Sequence, residues 1–410
     1  MNKKKLYFVT ESYIANRVFF ETEMERLLEE YDVTFIGCTG QEETAGFEKR
    51  AKVYFYKNTV SKWKKIIYAA QYIFNKTCHE EYVRNVKTAG LFSKTYWTRL
   101  VKSIEYYASA QEFYKFFRKI AGDDKDFIYY TYWCNYYALA MNLHRHEYPG
   151  IKVISRIHRF DLYDLEFPGG IQPFKYFINR NLDKLLFISS NSMEEYKIMH
   201  PELLDEKIML NRLGTKTLEI KSAGDDEKSF HMASCSRVVP VKRVELIVEA
   251  LAKLDMDVKW VHFGGGESFD AVSKLAHEKL DAKSNISYEL KGPTDNEDIR
   301  RYYSENRIDA FINVSSSEGA PVSIMEAMSV KTPIIATNVG EASLMVDGNG
   351  VLLSENPEAG EIAAAITSIA TCSDAERKAM KEKSYKIWTD MFSLEVNVNA
   401  FLQYLKEIEN

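Results

Sequence analysis

Two doubly wound α/β domains, each built on a parallel sheet, are the fold class that the sequence predicts. Short apolar runs bounded by turn residues alternate with stretches of helical periodicity along almost the whole chain. At 410 residues the chain exceeds the size at which one hydrophobic core stops growing. The polar segment 219–228, centred on Gly224, Asp225 and Asp226, interrupts the alternation near the middle and reads as a linker. The predicted division is therefore a first domain over 1–218, a linker over 219–228 and a second domain over 229–390. A last helix over 391–410 is placed to cross back to the first domain.

Composition narrows the function classes. A hydrophobic fraction of 46% with 28% charged residues is that of a globular protein. No apolar run approaches the ~20 residues of a membrane-spanning helix. The first apolar stretch, residues 6–10, is too short for a secretion signal and is broken by Glu11, so a cytoplasmic location is expected. Cys38, Cys78, Cys134, Cys235 and Cys372 lie far apart without a C-x-x-C spacing, which predicts reduced structural thiols rather than a zinc or redox site. The net charge of −5 argues against a nucleic-acid partner.

The chain opens β-α-β: a strand over 6–10, a helix over 17–30 with Phe19, Phe20, Met24, Leu27 and Leu28 on one face, and a strand over 33–37. The intervening Glu11-Ser12-Tyr13-Ile14-Ala15-Asn16 has no glycine, so the dinucleotide fingerprint of a nicotinamide or flavin enzyme is missing. Residues 60–120 are helical in period, rich in aromatics and basic. Residues 57–120 hold thirteen Lys and Arg against four Glu, which leaves −14 for the remainder of the chain. Two readings stay open: the aromatics form packed core beneath solvated lysines, or Trp63, Lys64, Lys65, Trp97, Arg99 and Lys102 lie on an anionic membrane surface.

Strands over 127–131 and 153–156 flank a helix over 135–147, and the second strand runs directly into His158 and Asp161. A His and an Asp at the carboxyl end of a strand in an α/β domain stand where ligands bind; Arg156 is a lesser candidate beside them. A strand over 185–190, a helix over 191–200 and a strand over 208–214 close the first domain. The second opens with a strand over 231–236 followed by Arg237. Lys242 and Arg243 precede a helix over 244–254, an arrangement suited to an anion. A strand and glycine turn over 260–267, a strand over 286–292 and a helix over 296–306 continue the alternation.

The most informative stretch follows. Ile308, Phe311, Ile312 and Val314 form a strand ended by Ser315, Ser316 and Ser317, and Pro321 suits the first turn of a helix over 322–330. Glu318 thus falls in the loop and Glu326 in the helix. Eight helical positions span roughly 12 Å, too far for two carboxylates working on one bond, so their roles differ. The turn Gly319-Ala320-Pro321-Val322-Ser323 offers free amides at a helix N-terminus, where a phosphate is stabilised. Residues 333–337 with Gly340, and then the turn-rich run 347–353, follow, before helices over 357–389, broken near Cys372, and over 394–409.

The pattern Ser-x-x-Glu-Gly-x-x-x-x-x-x-Glu-Ala-Met over 315–328 resembles the signature of retaining glycosyltransferase family 4. Ser236-Arg237-Val238-Val239-Pro240-Val241-Lys242-Arg243 is similar to that family's Gly-Arg-x-x-x-x-Lys-Gly segment, with Ser236 and Arg243 in place of the glycines. The likeness implies a GT-B fold, two Rossmann-like domains facing across a cleft. It implies a nucleoside-diphosphate sugar bound by the second domain, a saccharide or lipid-linked acceptor bound by the first, retention at the anomeric carbon, and neither a metal nor another cofactor. Asp255 and Asp257 read as a solvated turn. By the same likeness Arg237, Lys242 and the turn 319–323 hold the diphosphate, Glu326 the ribose, and Glu318, His158 and Asp161 face the donor sugar. Two departures stand out: the glycine-rich loop expected at 11–16 is missing, and Gly340-Glu341-Ala342-Ser343-Leu344 replaces Gly-Gly-x-x-Glu. A nucleotide-sugar epimerase of the same fold and a non-catalytic partner of another transferase are the alternatives.

Overall fold

The computed structural model describes residues 3–11, 13–37, 49–164, 167–221 and 228–409. Ser12 and residues 222–227 of the predicted linker lie outside them, as do the side chains of residues 13–16.

The apolar runs read from the sequence become strands. In the first unit β1 (Lys5–Thr10), β2 (Asp32–Gly37), β3 (Lys52–Phe55), β4 (Ile128–Thr131), β5 (Lys152–Ile157), β6 (Lys184–Phe187) and β7 (Ile208–Leu210) form a sheet of order β3-β2-β1-β4-β5-β6-β7. In the second, β8 (Phe230–Cys235), β9 (Val258–Phe263), β10 (Ile286–Leu290), β11 (Ala310–Asn313), β12 (Ile334–Thr337) and β13 (Gly350–Leu353) are ordered β10-β9-β8-β11-β12-β13. Every pairing is parallel. Such strands must bury both faces, and β4, β11 and β12 are buried at every position. Strand order reverses between β1 and β4 and again between β8 and β11. These switch points leave crevices at the carboxyl ends of the strands, where α/β proteins bind ligands.

The units divide between Asn211 and Arg212, ahead of the predicted linker. The reason is local: the segment after β7 is hydrogen-bonded to the turn Trp388–Phe392. Thr215 N donates to Phe392 O at 3.0 Å and Trp388 Nε1 to Thr215 Oγ1 at 2.8 Å. Gly214 lies so close that a Cβ there would stand 2.5 Å from Leu394 Cα. The helix Leu394–Glu409 ends in residues that group with the first unit, where Lys406 pairs with Glu30 at 3.1 Å.

The basic aromatic region forms three helices, Lys62–Phe74, Lys76–Ala89 and Lys94–Ala121. Its aromatics divide between the two readings. Tyr68, Tyr72, Tyr107, Phe113 and Phe117 are buried in the first core, whereas Trp63 and Phe74 are 79% and 87% exposed. The cations named for a membrane face are occupied within the protein. Lys64 pairs with Glu112, Lys65 and Lys102 share Glu105 at 2.8 and 2.9 Å, and Arg99 donates to Gly169 O.

Arg156 is also corrected. It is fully buried, with Nη2 2.7 Å from Glu23 Oε2, Nε donating to Tyr130 OH and Nη1 to Asn211 O. A guanidinium paired and buried in this way is a structural cross-link.

Candidate functional site

At the second switch point β8 runs into Arg237, which is exposed. The chain then forms a short turn, Pro240–Lys242, before the helix Val244–Leu251. Arg243 sits between them at φ 50°, a left-handed conformation that ordinarily favours glycine. Its side chain offsets the strain by clamping loops: Nε donates to Val314 O at 2.7 Å and Nη2 to Ser315 O and Glu355 O, both at 3.0 Å. Arg243 is thereby removed from the expected anion site. Lys242 remains in it.

After β11 the loop turns back on Lys242. Ser316 N donates to Val241 O at 2.8 Å, Lys242 Nζ stands 2.6 Å from Glu318 Oε1, and Asn313 Nδ2 donates to the same oxygen at 3.1 Å. The two residues that the sequence assigned to diphosphate and sugar are therefore partners in one ion pair. Pro321 precedes the helix Val322–Ser329. Ile324 N reaches back to Pro321 O, so the amides of Val322 and Ser323 have no acceptor inside the helix. Gly319 leaves open space beside its backbone, with Ala320 next to it. The turn 319–323 thus presents amides at a helix N-terminus, as an anion requires.

Gly340, at φ 55°, packs so tightly that a Cβ would meet Glu318 O at 2.0 Å. The next residue, Glu341, holds the same loop through Glu341 N donating to Gly319 O at 2.9 Å. Its buried carboxylate pairs with Arg212 Nε at 3.1 Å. Leu344 is 37% exposed. The glycine turn after β9 shows the same close approach, with Gly264 (φ 126°) stacked on Ser236 O.

Glu326 lies one turn into its helix and is buried. Burial pushes its carboxyl up to about 7, against a lowering by the Asn296 side chain and by Arg300. A carboxyl raised above its ordinary value favours folding most below that value, and the advantage is lost as pH rises toward 7. Glu326→Gln is therefore expected to gain a few degrees in thermal midpoint over the native chain at pH 8 and none at pH 4.5. A difference that does not change with pH would contradict the shift.

The first unit carries His158 and Asp161, described here by themselves. Asp161 is fully buried and accepts from His158 N at 2.7 Å and from Cys134 N. Desolvation raises its carboxyl to about 7 despite those amides. It braces the loop ends of β4 and β5, with Oδ1 and Oδ2 each accepting one of those amides. The His158 ring lies 4.9 Å from that of Tyr132 and 4.4 Å from that of Trp133. Burial, then the Arg156 charge, lowers it to about 3, so the imidazole is neutral at physiological pH. Its Nε2 and the Nε1 of Trp133 are buried without a hydrogen-bond partner among the described residues, a condition that a bound polar group would relieve.

Sequence reasoning missed Glu11, Trp133 and Asn135 at the first switch point. Asn135 caps the helix Tyr136–Leu143 and donates Nδ2 to Glu11 Oε1 at 2.6 Å; desolvation raises Glu11. The signal available was the position of Glu11 immediately after the first strand. Its partner, 124 residues away, was not legible. Among the described residues no group of three or more His, Cys, Asp or Glu is placed to hold a metal, and no helix is long and apolar enough to cross a membrane.

Residues 215–387 match the family model of glycosyl transferases group 1. Among curated proteins, the poly(glycerol-phosphate) alpha-glucosyltransferase of Bacillus subtilis is 27% identical over 221 residues, 50% of this chain and 30% of that protein. The chain thus spans less than half the length of that relative. Among solved structures, a glycosyltransferase from Rickettsia africae aligns with a TM-score of 0.69 at 17% identity, covering 100% of both chains. Anabaena HepE in complex with UDP and glucose aligns with a TM-score of 0.65 at 16% identity, covering 98% of this chain and 100% of that one. The fold shared with these structures is the GT-B type.

Proposed function

We infer that this chain, whose second unit matches the group 1 glycosyltransferases, is a retaining transferase that moves a sugar from a nucleoside-diphosphate sugar to a hydroxyl of a saccharide or lipid-linked acceptor in surface polysaccharide synthesis. The observation that carries the reading is the convergence at one switch point of exposed Arg237, the Lys242–Glu318 pair and the free amides of 319–323. Departure of a nucleoside diphosphate builds negative charge on phosphate oxygens, and preorganised cations and amides stabilise it. On this reading Glu326 accepts hydrogen bonds from ribose hydroxyls. Glu318 and the neutral His158 polarise the donor sugar, and no metal is needed. The poly(glycerol-phosphate) relative supports a surface-polymer acceptor.

A thermal-shift panel of nucleotide sugars with and without magnesium tests the donor assignment, because a ligand at a hundred times its Kd stabilises by about 2.7 kcal/mol. Product release with no acceptor present would favour the epimerase. Strict dependence on magnesium would overturn the metal-free chemistry.

The reading extends to a peripheral contact with anionic membrane. Along the helix Lys62–Phe74 the outward positions Trp63, Ile66, Ile67, Ile73 and Phe74 are all more than half exposed, and Phe92 and Trp97 are exposed nearby in sequence. Lys62, Lys76 and Lys94 are exposed and form no ion pair among the described residues. Vesicles containing phosphatidylglycerol should sediment with the protein at low salt and less at high salt. Trp63→Ala with Phe74→Ala should lower the partition about tenfold or more. Equal partition into neutral vesicles under all conditions would contradict the contact.

A further inference from the structure

Between the helices Lys76–Ala89 and Lys175–Asn181 the first unit holds a pocket of about 380 Å³, whose lining includes Thr77, Glu80, Arg84, Lys87, Tyr176 and Arg180. The guanidinium of Arg84 lies 4.2 Å from the centre of the Tyr176 ring, and that of Arg180 lies 5.4 Å from the same centre. Among the described residues neither makes an ion pair with a carboxylate. Lys87, one turn beyond Arg84, is exposed and equally unpaired, and exposed His79 also lines the pocket.

Two carboxyls could neutralise this cluster. Glu81 lies behind Arg84 and interacts with it, but is turned inward, where Ser103 and Asn85 donate to it, and burial raises it above its ordinary value. Glu80 is exposed to water. Three cations therefore line a concavity that holds one solvated carboxylate. Concave walls focus such a field. Holding both guanidiniums on one ring also restricts their rotamers before a ligand arrives, which lowers the entropic cost of binding.

We propose that this pocket binds a phosphodiester or phosphate monoester. A guanidinium fork matches phosphate oxygens in pairs, the volume suits one small ligand rather than a polymer, and the Tyr176 ring offers an apolar surface for the ester carbons. The source of the phosphate is either a lipid headgroup or a soluble ester. Thr77 in the lining is three residues from exposed Phe74, which sets the pocket beside the end of the apolar stripe in sequence.

Glycerophosphoglycerol binding by calorimetry and phosphatidylglycerol vesicle sedimentation, on the full chain, test it together. Arg84→Gln with Arg180→Gln should weaken binding about tenfold or more. The charge-matched control Lys378→Gln with Lys381→Gln should leave it unchanged. Arg84→Lys with Arg180→Lys, which keeps charge and loses the fork, should fall between and serves if the Gln pair does not fold. Loss of glycerophosphoglycerol binding alone supports a soluble ester, loss with vesicles alone supports a headgroup, and loss in both shows that the pocket takes the phosphodiester from either source. No binding of either probe by the native chain, or equal binding by variants and control, overturns the proposal.

Discussion

Replacing Arg237 and Lys242 together by alanine is expected to weaken binding of a nucleoside diphosphate by roughly a hundredfold to ten-thousandfold while the chain remains folded. A hydrogen bond to a charged group is worth about 1.5–3 kcal/mol, and two such contacts convert to that range. Folding should survive because Arg237 is exposed and Lys242 lies in a surface turn. The single variants should differ. On the proposed reading Arg237→Ala removes a phosphate contact alone, whereas Lys242→Ala also frees Glu318, leaving its Oε1 to Asn313. Lys242→Ala should therefore lower kcat beyond its effect on affinity. Calorimetry on the folded double variant decides: unchanged affinity for the diphosphate would remove the site from this turn.

The parts of this site that the sequence made legible are those encoded locally. The strand before Ser315, the turn at Gly319 and the helix after Pro321 follow from apolar runs, turn residues and a proline with a preset φ, and the structure has all three in that order. The edge strand β3 was not predicted, although Val53, Tyr54 and Phe55 form a short apolar run; its four residues alternate between exposed and half-buried. Arg243 looked like a phosphate ligand because its left-handed backbone and its bonds to Val314 O and Glu355 O depend on loops 71 and 112 residues away. Arg156 failed for the same reason, since its partners Glu23 and Asn211 lie 133 and 55 residues away. Glu341 replaces a glycine of the family pattern, yet its amide still holds the Glu318 loop. A motif comparison registers the changed side chain and misses the retained backbone contact.

The Lys242–Glu318 pair leads to the second large effect, on Glu318 itself. Oε1 is already held by Lys242 and Asn313, so the carboxylate is oriented before any substrate arrives; on the proposed reading, only its interaction with charge developing on the sugar is left to change during the reaction. Glu318→Gln retains the shape and a hydrogen-bonding oxygen while removing the charge. Loss of one preorganised electrostatic contact typically lowers turnover by about 10²–10³-fold, and kcat should fall by that much with the KM for the donor changed only a few-fold. Asn313→Ala, which loosens the carboxylate without removing it, should cost less. Glu326→Gln should show the opposite division, with KM for the donor raised and kcat nearly unchanged, because a ribose contact is the same in ground and transition states. If Glu318→Gln raised KM and spared kcat, the loop glutamate would be a ground-state ligand and the assignment of the two carboxylates would have to be exchanged.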